Sequence, residues 1–340
     1  MFLWTRGGVE DRWHAPAAPG AYEWWGYEAL DPEEQLAFSL RIAAGDPMDP
    51  RYAGLLARGS GAARPDRNIL VRAVLYRRGR RVLARSFRPG PDEFAASWSS
   101  GAVRAGDALV RVEESAHGRS YHLELQPGTR LTFAGPPGMP AGTGPPDAAV
   151  WDLAPLDLRV RGEVEVGEGV TRERLRFRGR GVHDHGYGPA SPQGMVLSWA
   201  WGWAHAREFA VAWRQVAFAS GDLDTLLVVD REGEPFIGEL ARSRPFRARY
   251  SIMGIPYRRQ WRLDAPSGAG LAVERLATLG SSPVGMRFLS SIRLSVQDPT
   301  SRMRLVDGLG LSSVARPQRA RVPPLRWLAL VREAWTSHRS

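Results

Sequence analysis

The 340-residue chain contains no cysteine. That excludes disulfides, thiolate metal sites and cysteine nucleophiles, and it leaves the redox compartment undecided. Lysine is absent too, so all 46 basic residues are arginine, set against 36 acidic ones for a formal net charge of +10. In a chain also rich in Ala, Gly and Pro this is most simply the mark of a GC-rich genome, a statement about codons rather than function. Long apolar runs are missing. Met1-Phe2-Leu3-Trp4 passes straight into Thr5-Arg6-Gly7-Gly8, far short of a signal-peptide core, and no window stays apolar long enough to span a bilayer. A cytoplasmic protein, soluble or held at a membrane surface, is the expectation.

Helical periodicity is scarce as well. Short alternating runs broken by Gly, Pro and Asp dominate: Ile69–Tyr76, Ala108–Glu113, Ser120–Leu125, Leu156–Val166, Leu175–Gly179, Phe209–Trp213, Asp224–Val229, Phe246–Tyr250, Gln260–Leu263, Leu271–Arg275 and Ser291–Val296. Strands of this length at this spacing predict an all-β protein of antiparallel barrels or sandwiches. Arg77-Arg78-Gly79-Arg80 and Asp230-Arg231-Glu232-Gly233-Glu234 read as hairpin turns, and Gly135–Pro146 as a long Pro/Gly loop. The length suits two domains, each with its own core. A break at Gly188-Pro-Ala-Ser-Pro-Gln-Gly194 marks the junction, giving domains over 1–190 and 191–316. A basic tail over 317–340 follows, with a helix starting after Pro323-Pro324.

The positive charge suits nucleic acid or anionic lipid. The arginines are dispersed between apolar strand residues, however, and no zinc-finger, RNA-recognition or helix-turn-helix pattern occurs, so no nucleic-acid partner is expected. In the tail, Arg316, Arg319, Arg321 and Arg326 precede or open a segment bearing Trp327 and Trp335. That mixture suits either packing on the second domain or peripheral contact with an anionic membrane.

Acid–base groups and aromatics are densest in Gly179-Arg-Gly-Val-His183-Asp184-His185-Gly-Tyr187-Gly188, followed by Trp199-Ala-Trp201-Gly-Trp203. In an extended strand His183 and His185 project one way and Asp184 the other, while Trp199, Trp201, Trp203 and His205 share a face opposite Ala200, Gly202 and Ala204. Two readings follow. The residues form a hydrogen-bonded turn beside a hydrophobic core, or they form a site that handles an apolar, electron-rich molecule through a proton, with indole faces steadying a developing cation. His-x-His resembles some metal sites, but no third ligand stands at a fixed short spacing; His122 or His205 would have to arrive through tertiary folding, and no metal is expected.

Taken in order, Tyr22-Glu-Trp24-Trp25-Gly-Tyr-Glu-Ala29, Gly45-Asp-Pro-Met-Asp-Pro-Arg-Tyr52, Gly181-Val-His183-Asp184-His185 and Trp199-Ala-Trp201-Gly202 resemble the carotenoid 1,2-hydratase (hydroxyneurosporene synthase) family, from about Ala21 to Pro317. That family belongs to a superfamily of paired lipocalin-like β domains that includes tocopherol-cyclase and Diels–Alderase-like relatives. The resemblance implies two lipocalin-like barrels, an isoprenoid or polyene substrate and no cofactor. It places the family's His-Asp-His on His183, Asp184 and His185, and its tryptophan-rich strand on Trp24 and Trp25. Where the family continues Asn-Trp-Gly, this chain has Gly186, Tyr187 and Gly188.

Protonating a trisubstituted alkene yields a tertiary cation, which needs an aimed carboxylic acid. Asp184 is therefore expected as general acid, with His183 and His185 orienting it or activating water. Trp24, Trp25, Tyr187, Trp199 and Trp201 are expected to bind substrate. Water capture of the cation gives an alcohol and internal capture a ring. Two other readings stay open: a Diels–Alderase-like pericyclase, and a non-catalytic lipid or pigment carrier.

Overall fold

A computed structural model of the chain describes residues 2–6, 11–137, 149–167, 169–245, 248–297 and 302–337. The chain forms two compact units, Met1–Ser191 with Leu330–Ser340 and Pro192–Ala329. Both are β structures, as the alternating runs predict.

The sheet of the first unit runs, in spatial order, through Arg80–Phe87, Ile69–Arg77, Leu36–Ala44, Tyr22–Asp31, Glu173–Gly188, Leu158–Val166, Thr129–Gly135, Gly118–Leu125, Ala108–Ser115, Val103–Ala105 and Phe94–Ala96. Inward-facing residues from strands across this order, including Leu75, Phe38, Trp25, Phe133, Leu123, Val110 and Val103, meet in one core. The sheet must therefore curl upon itself to bring its ends to a common interior. Glu173–Gly188 is its longest strand and sits centrally. It pairs along one edge with Tyr22–Asp31, and along the other with Leu158–Val166 and then Ala149–Leu153. The pairing is antiparallel throughout this path; Phe2–Arg6 departs from it by pairing in parallel with Ala149–Leu153.

In the second unit the order is Glu234–Leu240, Leu223–Arg231, Phe209–Phe218, Val196–Ala206, Met303–Ala315, Gly285–Gln297, Gly270–Ser281, Gln260–Asp264 and Arg242–Pro245. Its core is built from Ala204, Ala206, Trp213, Leu227, Leu263, Leu271, Ile292 and Leu294 among others. The Ala and Gly side of Val196–Ala206 thus faces inward, and Trp199, Trp201 and Trp203 occupy the opposite face of that strand.

Both expected hairpins form. Arg78 and Gly79 have φ of 52° and 73°, and Glu232 and Gly233 have 55° and 87°, the paired positive values of a turn whose twist matches the flanking strands. One helix escaped the sequence reading: Pro50–Ala57, where the Asp49 side chain accepts from the Arg51 N–H and Pro50 opens the first turn. The helix expected after Pro324 is present as Pro323–Ser337. The Pro/Gly loop lies, beyond Pro137, outside the described residues, as does the start of the strand expected at Phe246, of which Ala248–Tyr250 is seen.

Candidate active site

The two faces of Glu173–Gly188 do different things. Asp184 stands opposite Gly26 on one neighbouring strand and Leu153 on the other, while Gly186 stands opposite Trp24 and Trp151. Because partners across a sheet share a face, this register collects Asp184, Trp24 and Trp151 on the side away from the core. The indole N–H groups of Trp24 and Trp151 both donate to Asp184 Oδ2, at 2.9 and 3.0 Å. Tyr22 stacks on Trp24 at 5.4 Å, and the Arg41 guanidinium lies 4.6 Å from the Trp24 ring centroid.

Two glycines make this arrangement possible. A Cβ at Gly186 would stand 2.2 Å from a Trp24 ring carbon, and one at Gly26 would stand 2.2 Å from Asp184 Oδ1. Gly186 stands directly opposite Trp24 across the strand pair. Here the indole of Trp24 lies across the bare backbone and so reaches the carboxyl. The chemical result is an asymmetric acid. Indole N–H is only a donor, so with two of them on Oδ2 a proton on this carboxyl is confined to Oδ1.

The opposite face looks into the core. His183 is fully buried, with Nδ1 2.9 Å from the Gly26 carbonyl and Nε2 2.9 Å from Asp11 Oδ1. Both partners are acceptors, so both ring nitrogens donate and the ring is an imidazolium. Burial alone would pull its pKa down, but the charge and hydrogen bond of Asp11 outweigh that and raise it above the ordinary 6.5. Asp11 Oδ2 also accepts from the Tyr121 hydroxyl at 2.9 Å and pairs with Arg119 Nη2 at 3.0 Å. Against the cost of its burial, these cations hold its pKa below the ordinary carboxylate value.

His185, equally buried, donates from Nε2 to Glu23 Oε1 at 2.9 Å, and the same oxygen lies 3.0 Å from His14 Nδ1. The ligating atoms of His14, Glu23 and His185 lie within 4.8 Å of one another, so these three side chains are where the described residues could hold a divalent cation.

His183 and His185 share no hydrogen bond with Asp184, and the expectation that they orient its carboxyl is corrected. Strand alternation turns them to the other side, and the groups hydrogen-bonded to the Asp184 carboxyl are Trp24 and Trp151 instead. Trp25 and Tyr187 lie on the histidine side too. The Trp25 N–H donates to the Asp11 carbonyl at 2.8 Å, and Tyr187 stacks on His14 at 3.7 Å, so neither stands beside Asp184. Trp199 and Trp201 belong to the second unit, 6.0 Å apart edge to face. The sequence reading missed Trp151, whose signal was its place in the alternating run Ala149-Val-Trp-Asp-Leu153. It also missed Asp11 and Glu23, whose pairing with the histidines only tertiary folding creates.

No protein-family model and no curated protein matches the sequence. Solved structures do resemble the fold. The chain superposes on CghA bound to Sch210972 with a TM-score of 0.60 at 13% identity, covering 92% of this chain and 98% of that one. An AttH candidate from Nitrosomonas europaea gives 0.56 at 14% identity, over 87% and 92%. Kievitone hydratase from Nectria haematococca gives 0.52 at 11% identity, over 92% and 93%. At these identities the likeness establishes the two-unit lipocalin-like fold.

Proposed function

We propose that the chain is a carotenoid 1,2-hydratase-like enzyme, which protonates a terminal C=C of an apolar isoprenoid or polyene from Asp184 and lets water capture the cation. One observation carries this reading: a carboxyl on the strand face away from the first unit's core, with two indole N–H donors on one oxygen and, among the described residues, no hydrogen bond on the other. In the forward step the Oδ1 proton passes to the less substituted alkene carbon, leaving a tertiary cation and a carboxylate. The two N–H donors then stabilise the charge that develops on the carboxylate, the logic of a preorganised anion site. Water adds to the cation and returns a proton to Asp184, so that alkene and water become a tertiary alcohol and the acid is regenerated.

The motif order quoted above supports the isoprenoid class, and a solved structure of the same fold is by name a hydratase. Cyclisation shares the protonation step and differs in what captures the cation. Mass spectrometry of polyene incubations separates the outcomes: hydration adds the mass of one water, cyclisation gives an isomer of unchanged mass, and a carrier returns its ligand unaltered. Asp184→Asn, checked for native circular dichroism, is expected to abolish turnover. Retained turnover in that variant refutes the acid assignment.

A substrate of this class resides in a bilayer, so the reading includes peripheral docking on anionic lipid. No helix among the described residues is long and apolar enough to cross a membrane. The helix Pro323–Ser337 instead exposes Trp327, Leu328 and Val331, an interfacial apolar patch following the exposed Arg321. Trp335 lies in the same helix, but its side chain is outside the described residues.

A further inference from the structure

The interior of the second unit is not filled from end to end. Along Val196–Ala206 and Phe209–Phe218 the inward positions carry Trp213, Val211 and Phe209 at one end but Ser198, Ala200, Gln215 and Ala217 at the other. These small side chains leave a cavity of about 350 Å³ in line with the core, within the range of small-molecule sites. Leu223, Tyr257, Trp261 and Val314 supply apolar wall.

Into this cavity the strand Gly270–Ser281 delivers a cation. Leu271 and Val273 point into the core, and the next inward position is Arg275, 5% exposed. Its guanidinium carbon lies 4.2 Å from the Phe288 centroid and 4.4 Å from that of Trp261, so the rings hold the group in place. Nη1 donates to the Arg258 carbonyl at 2.8 Å. Nε is buried without a hydrogen-bond partner; among the described residues Nη2 has none either, and no carboxylate pairs with Arg275. Burial pulls its pKa down to about 9, with Tyr257 and Arg258 the charged or titratable neighbours that act on it among the described residues. Two further arginines, Arg258 and Arg316, line the same cavity, again with no carboxylate among the groups acting on them. Arg316 Nε and Ser243 Oγ are buried and unpartnered at its wall.

A buried guanidinium whose Nε–Nη2 edge is open presents the two parallel donors that match a carboxylate. Unmet buried donors call for an explanation, and here three of them, Arg275 Nε, Arg316 Nε and Ser243 Oγ, belong to residues that line one cavity. We propose that the second unit binds a small apolar carboxylic acid, its carboxylate bridging the Nε and Nη2 of Arg275, with the Ser243 hydroxyl beside it and its hydrocarbon or aromatic body against Trp261, Tyr257 and Leu223. The inference uses only residues of Pro192–Ala329 and stands independently of the chemistry assigned to Asp184.

Isothermal titration of the full chain with naphthoate and decanoate, each beside its neutral amide, tests this. Saturable binding of at least one acid is expected, with its amide weaker by about tenfold or more, the worth of a charge-assisted bond. Arg275→Met should erase the preference for the acid. Ala200→Trp, which fills the cavity and leaves the guanidinium in place, should abolish binding of both. If Arg275→Met does not fold, the wild-type comparison of acid with amide decides alone. Equal affinity for acid and amide, no saturable binding of either acid, or inorganic phosphate binding where both acids fail would overturn the proposal.

Discussion

Asp11→Asn is the substitution whose consequences the geometry specifies most fully. The carboxylate is 1% exposed and every one of its side-chain partners is a donor: His183 on Oδ1, Tyr121 and Arg119 on Oδ2. An amide has one acceptor and one donor end. Whichever way the new side chain turns, its NH₂ faces a group that also donates, and the buried His183 cation loses its anion, while Arg119 is left with the exposed Glu114 carboxylate. Removing one partner of a buried ion pair costs roughly 3–5 kcal/mol. In a unit of this size each kcal/mol moves the melting temperature by about 2–4 °C, so a fall of roughly 6–20 °C is expected.

The pH dependence has a definite sign. His183 has a raised pKa in the fold, so its contribution is complete below its ordinary 6.5 and is lost as pH rises through the folded value. Asp11 has a depressed pKa, so its contribution is complete above its ordinary 3.8 and is lost as pH falls through the folded value. The gap between wild type and variant should therefore be widest between those limits and narrow on both sides. With Asp11 gone, burial pulls the His183 pKa down against the weaker upward pull of the Gly26 carbonyl and Asp184, and the alkaline decline should shrink in the variant. Differential scanning calorimetry from about pH 2 to about pH 9 reads both sides of that window. A variant melting within about 2 °C of wild type near pH 6 would refute the buried-ion account.

Gly26→Ala should leave the fold intact but cut turnover of a polyene by about 10²-fold or more, since the new Cβ displaces the Asp184 carboxyl from its two indoles; unchanged turnover would show that the carboxyl's placement is immaterial. Trp24→Phe combined with Trp151→Phe keeps the aromatic faces and deletes both N–H donors, and kcat is expected to fall while KM stays within about threefold. Replacing Trp327, Leu328 and Val331 together by Ser should reduce co-sedimentation with anionic vesicles, and high salt should weaken wild-type binding; equal sedimentation would leave the helix no lipid role. These point changes probe the surface better than truncation after Arg316, because Pro317 and Ala320 are buried and Arg319 donates to the Met253 and Gly254 carbonyls.

Strands and hairpins were legible because their causes are local. Side-chain alternation has period two, and positive φ at two successive residues demands sequences such as Arg78-Gly79 and Glu232-Gly233. The helix Pro50–Ala57 was not, although Asp49-Pro50 is a regular start signal. Eight residues are too short for periodicity to declare itself, and Asp49 is also engaged by Arg88, 39 positions away. The parallel pairing of Phe2–Arg6 with Ala149–Leu153 likewise joins segments whose separation no local pattern bridges.

At the candidate site the same distinction decides what could be read. Alternation alone separates Asp184 from its two histidines, and the structure keeps that separation. Grouping all three as one catalytic unit went beyond what a strand allows, since residues adjacent in sequence are on opposite faces. The true companions of Asp184 come through register, Trp24 across one edge and Trp151 across the other. Register is set by the whole sheet, and no spacing within the motif encodes it. The glycines were in plain view, and against the hydratase pattern that the motifs resemble Gly186 reads in sequence as the loss of a hydrogen-bonding amide. In the fold it is the opening through which the Trp24 indole reaches the Asp184 carboxyl, a consequence of the cross-strand register that the motif by itself does not carry.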